Sequence, residues 1–165
     1  MEAPSLVSDA GHLVRRFAGS LSRRPPSPDD CAWAMGSLLP GEADLWGQLS
    51  VQDQRHSIEV AHRFVAGSAL LPGRAEVAAA LLHDIGKIDS GLGTFGRVAA
   101  TLWGALGGAR AERGSGRIGR YLRHEAIGAE LLVEVGSEAR TLELVAGRAD
   151  PADPVVAALA RADQI

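Results

Sequence analysis

The chain has 165 residues, 46% of them hydrophobic and 22% charged, with a formal net charge of −3. That length suits one domain around one substantial core, and the acidic balance gives no general attraction for a polyanion, so nucleic acid is not an expected partner. Cys31 is the only cysteine, which excludes an intramolecular disulfide and an all-cysteine zinc site and fits a reducing, cytoplasmic setting.

Residues 1–6 include Glu2 and Pro4 and lack the apolar core of a signal peptide. They lead into Leu6, Val7, Ala10, Leu13, Val14 and Phe17, whose spacing predicts an amphipathic helix, ended by Arg23-Arg24-Pro25-Pro26-Ser27-Pro28. Asp29 and Asp30 then stand where a helix start favours negative charge. That second helix extends to Leu39, and Pro40-Gly41 breaks the pattern before a short segment around Leu45 and Trp46. Residues 1–50 thus read as an N-terminal helical appendage to a domain spanning 51–165.

Within that domain, 51–66 is helical in pattern, Pro72-Gly73 is a turn, and 75–85 is so rich in Ala and Leu that it predicts a buried helix. A further helix is expected over 95–106. Its apolar part, 98–106, has about half of the ~20 residues a spanning helix needs, so no membrane anchor is expected. The Gly- and Arg-rich stretch 107–119 reads as a loop, and helical patterns resume at Tyr121, Ser137 and Pro154. No segment supports a strand, and the expected class is all-α. Trp33, Trp46 and Trp103 read as core residues.

Two of these helices carry polar groups where apolar ones belong. From His124 the stripe at i, i+3, i+4, i+7 is His124, Ile127, Gly128 and Leu131; in the last segment it is Val156, Leu159, Ala160 and Asp163. An unpaired carboxylate on a buried stripe is strongly unfavourable, and a cation would resolve that cost. The run Ala78-Ala79-Ala80-Leu81-Leu82-His83-Asp84-Ile85-Gly86-Lys87 ends an apolar helix in an imidazole and a carboxylate about 100° apart. A single core histidine is ordinarily a satisfied structural residue, but this set is hard to satisfy separately in a core so poor in polar partners. Mixed nitrogen and oxygen donors suit a divalent transition ion. Helical geometry alone does not choose between His56 and His62, which flank opposite edges of the arc Ile58, Val60, Ala61, Phe64 and Val65.

The pattern Asp53-Gln54-Arg55-His56-Ser57, then Leu82-His83-Asp84-Ile85-Gly86-Lys87, then Ala162-Asp163 resembles the HD superfamily of metal-dependent phosphohydrolases. The resemblance covers roughly residues 51–165 and implies a compact helical bundle. It implies His56, His83, Asp84 and Asp163 as ligands of a divalent metal (Mn, Fe, Ni, Co or Zn). Asp84 would bridge to a second ion such as Mg, and His124 would serve that ion or the substrate. The implied reaction is attack of a metal-bound hydroxide on a phosphoester of a nucleotide or related small molecule. Binuclear relatives usually supply another histidine before the final Asp, where this chain has Val145-Ala146-Gly147-Arg148. That favours a mononuclear site or a weakly held second ion. Asp163 also lies two residues from Ile165, where helices fray, which predicts weak metal retention.

Lys87 is the first candidate for a phosphate contact, with helix C-terminal charge complementarity as the alternative. Arg120 and Arg123, in the basic run Arg110, Arg113, Arg117, Arg120 and Arg123, are substrate candidates, as is Arg55; a solvated face, or pairing of Arg55 with Asp53, is the plainer reading. Two other functions compete: a regulatory module that binds metal and nucleotide with little turnover, and a metal-stabilised interaction protein. A homo-oligomer stays open.

Overall fold

Five helix starts are written in the local sequence. In the computed structural model, which describes residues 24–90 and 124–164, Ser27 accepts a hydrogen bond from the Asp30 amide at 3.0 Å and opens α1 (Pro28–Gly36). Ser50 does the same for α3 (Val51–Gly67), accepting from Asp53 N at 3.2 Å, and Asp153 for α8 (Pro154–Asp163), accepting from Val155 N at 2.8 Å. Ser and Asp are favoured here because their side-chain oxygens satisfy amides that have no intrahelical acceptor. At the start of α2 (Pro40–Gly47) the Glu42 carboxylate reaches back to the Leu39 amide at 2.8 Å. At the start of α4 (Arg74–Leu82) Glu76 reaches back to Gly73 N at 3.0 Å. The remaining helices are α5 (Lys87–Ser90), α6 (His124–Glu134) and α7 (Ala139–Val145). Among the described residues no strand occurs, as the all-α expectation requires, and no helix is long and apolar enough to cross a membrane.

The buried helix expected over 75–85 is shorter. α4 stops at Leu82, and the chain then turns through Ile85 N to Leu82 O, Lys87 N to Asp84 O and Ile88 N to Ile85 O, at 3.0, 3.0 and 3.1 Å. Such i to i+3 bonds tighten a helix end. His83 and Asp84 therefore sit on a turn between α4 and α5. The expected helices over 6–17 and 95–106, the 107–119 loop, its arginines and Trp103 lie outside the described residues.

α4 is the centre of the packing. Ala78, Ala79, Ala80, Leu81 and Leu82 are all buried, and α2, α3 and α7 pack against the helix, which is where a helix apolar on every face belongs. α8 lies on α3, and α6 on α7 and α5. The core also takes in Ala34, Leu38, Ala43, Leu45, Trp46 and Leu49, so residues 34–49 of the expected appendage share it with the helices that follow. Trp46 is buried, as read from sequence, and its Nε1 donates to Ser57 Oγ at 2.9 Å. Trp33 is half-buried.

Polar struts fix the helices around α4. Glu42 is fully buried, and Arg74 joins it at 3.0 Å to Glu138, just before α7. Arg140 of α7 bridges Glu76 and Asp153, and the buried Thr141 hydroxyl donates to Ala75 O at 3.0 Å.

Candidate metal centre

Three parts of the fold converge at the far end of α4. α3 contributes His56, the turn after α4 contributes His83 and Asp84, and the C-terminal residue of α8 is Asp163. Donor atoms of His56, His83 and Asp163 all lie within 4.8 Å of one another. His56 Nε2 is 3.1 Å from Asp163 Oδ1, and His83 Nε2 is 3.7 Å from that same oxygen and 3.4 Å from Asp84 Oδ2. The two imidazoles meet edge-on with centroids 5.4 Å apart.

The orientation of His83 carries the chemistry. Its Nδ1 lies 2.9 Å from the Ala80 carbonyl oxygen, so an Nδ1–H donates there and the neutral ring keeps its lone pair on Nε2. That Nε2 is buried, has no hydrogen-bond partner among the described residues, and faces the oxygens of two carboxylates. A lone pair opposed to carboxylates is unfavourable unless a proton or a cation stands between them. Two imidazole nitrogens with carboxylate oxygens form a donor set suited to a divalent transition ion, and the residues present fit one.

The charges follow from this crowding. Burial opposes an imidazolium at His83, yet the Asp84 charge, aided by the Ala80 carbonyl and Asp163, leaves its pKa raised. Burial likewise works against the Asp84 carboxylate, but His83 and Lys87 hold it well below the usual carboxylate range. The hydrogen bond from His56 lowers Asp163, against burial, and His83 adds to the shift. The Asp84 side chain is 10% exposed and that of Asp163 43%, so the cluster opens to solvent on the α8 side.

Lys87 places its ammonium on Asp84 Oδ2, the same oxygen that faces His83. Arg55 Nη1 donates to Arg24 O at 2.9 Å, and its Nε is 3.7 Å from Glu59. The Asp53 carboxylate accepts from the Ser50 hydroxyl. The choice that helical geometry left open is made by packing. His62 stacks on Trp33 at 4.1 Å and meets Asp30 at 3.3 Å, whereas His56 joins the cluster. His124 begins α6; its side chain, like Arg120 and Arg123, lies outside the described residues.

Two stripes are rotated from their expected positions. On α8 the buried residues are Ala158 and Ala162, with Ala160 exposed and Asp163 intermediate. The small alanines take the contact with α3 and leave the carboxylate at its border. On α6 the buried positions are Gly128, Ala129 and Leu132. A Cβ at Gly128 would stand 3.0 Å from Ile85 Cγ2 and 3.2 Å from Gly86 N, so the absent side chain lets α6 sit directly on the His83–Asp84 turn. Sequence reasoning missed Arg63, whose Nε donates to Ala162 O at 2.8 Å. Its spacing of seven residues from His56 was the available signal.

Compared with family models, with curated proteins and with solved structures, the chain matches none of them.

Proposed function

We propose that the chain is a metal-dependent phosphohydrolase of the HD type, cleaving a phosphoester of a nucleotide or related small molecule. The observation that carries this reading is the buried Nε2 of His83, without a hydrogen-bond partner among the described residues, facing Asp84 and Asp163 and beside His56. The order His56, His83-Asp84, Asp163 along the chain supports the family. These four residues would hold the ion, with Mn, Fe, Ni, Co or Zn all compatible with the donors. When bound, a divalent ion lowers the pKa of its water towards neutrality and neutralises phosphoryl charge.

The chain's own groups have separate tasks. His83 is oriented by the Ala80 carbonyl, and Asp84 is kept ionised by His83 and Lys87. The Lys87 ammonium, within the same cluster, offsets negative charge on a phosphoryl oxygen. The open side at Asp163 admits the substrate. His124, Arg120 and Arg123 are assigned to the substrate side on the sequence pattern, and the single cysteine favours a cytoplasmic setting.

The test is metal analysis of the purified protein, then phosphate release from nucleotides and generic phosphoesters with Mn, Fe, Ni, Co or Mg added. Metal-dependent release that is lost in Asp84→Ala establishes the hydrolase. Bound metal with no release from any substrate favours the regulatory module, a reading motivated by the lack of a histidine after His124.

A further inference from the structure

Asp163 enters the cluster from the last residue of α8, a weak place from which to hold a ligand. The final carbonyls of a helix have no intrahelical donors, and the last turn unwinds readily. The side chain of Asp163 is also 43% exposed, so burial alone does little to fix it.

α3 grips this end at two consecutive residues. His56 Nε2 meets the Asp163 carboxylate at 3.1 Å, and Arg63 Nε donates to the carbonyl of Ala162 at 2.8 Å. His56 and Arg63 are seven residues apart, which places them on one face of α3, about two turns from each other. Between the helices stand the buried alanines Ala158 and Ala162, whose size permits close approach. The guanidinium also lies at the negative end of the α8 dipole, where a cation is favourable.

The two grips differ in kind. The His56 contact uses Nε2 and Oδ1, the atoms that would face a cation. The Arg63 contact uses the backbone and so leaves those atoms available to an ion. We infer that Arg63 is a positioning residue, holding the end of α8 on α3 so that the Asp163 carboxylate is presented to the metal centre. Its functional consequence rests on the metal-dependent reading above. Partners of this outer kind typically contribute 10–100-fold to metal affinity.

Titration of the metal-free full chain with Co²⁺, followed by visible absorption, tests this in wild type, Arg63→Ala, Arg63→Lys and Thr141→Ala. Thr141 serves as the control because its hydrogen bond to Ala75 lies at the opposite end of α4. The expected result is Co²⁺ binding weakened about tenfold or more in Arg63→Ala, partly restored in Arg63→Lys, and unchanged in Thr141→Ala despite a lower melting temperature. Wild-type affinity in Arg63→Ala, or an equal loss in Thr141→Ala, overturns the assignment. If the wild type takes up no Co²⁺, the metal-dependent reading fails, and amide hydrogen exchange over 160–164 decides the clamp by itself. Faster exchange in Arg63→Ala with normal exchange in Thr141→Ala supports it; unchanged exchange overturns it.

Discussion

His56 and Asp163, separated by 107 positions in the chain, stand 3.1 Å apart between imidazole Nε2 and carboxylate Oδ1. The contact is made by the docking of α8 on α3, so the candidate centre exists only in the folded chain. It follows that metal binding at this centre would be linked to folding. At a free-ion concentration one hundred times Kd, the folded state gains about 2.7 kcal/mol. A chelator should therefore lower the melting temperature of protein purified with metal, and adding Mn²⁺ or Zn²⁺ should restore it; a melting curve indifferent to both would remove the linkage.

His83→Ala and Asp84→Ala should each abolish metal retention, whereas His62→Ala should retain it. His62 is engaged by Trp33 and Asp30 on the α1 side of α3, away from the cluster. Metal content measured by elemental analysis checks this, and equal content in all three variants would falsify the ligand assignment.

Arg74→Ala should be one of the costlier substitutions outside the site. It leaves Glu42, with 0% exposure, buried without its cation, and breaking such a pair from one side costs about 3–5 kcal/mol. Urea unfolding gives the number. A loss nearer that of an exposed ion pair, below about 1 kcal/mol, would mean that Glu42 finds other company.

Gly128→Val should destabilise the fold by about 1–3 kcal/mol, because the added side chain meets Ile85 and the Gly86 backbone, and backbone gives way least. It should also weaken metal binding, since the displaced segment carries His83 and Asp84. Stability from denaturant curves and metal affinity are expected to fall together.

The acid limb of stability should depend on Asp153. The Val155 amide, and then Arg140, hold its carboxyl below the ordinary value. A carboxyl depressed in the folded state contributes stability above its unfolded pKa, near about 3.9. That contribution is lost as pH falls through the folded value. Asp153→Asn should therefore lower the melting temperature at neutral pH and show a smaller further fall below about pH 4. Parallel curves for the variant and the wild type would contradict this.

The parts legible from sequence were those with a strong local cause. Asp29 and Asp30 mark one helix start and Pro154 another, and the Ala/Leu run of α4 announces a buried helix. His83 and Asp84 stood out because they are polar groups at the end of that run. Other features depended on which helix lies against which. The i, i+3, i+4, i+7 spacing of α8 points to Val156, Leu159, Ala160 and Asp163, but its buried residues are Ala158 and Ala162. The separation of His56 from His62 needed the position of α1, because Trp33 and Asp30 claim the second imidazole. Arg63 had a surface-like sequence context, and only the carbonyl across the helix interface gives it a task.

The triple alanine of α4 has a consequence for how this protein can vary. Ala78, Ala79 and Ala80 are each buried to within 1%, and their successive side chains point in different directions around the helix. Each lies in the body of the core, where an added methylene has little room. Enlargement at any of them forces neighbouring helices apart, and the end of the same helix carries the cluster. The centre of the domain is thus closed to gradual change, while the loop at Leu70 and Leu71, 85% and 91% exposed, can drift freely.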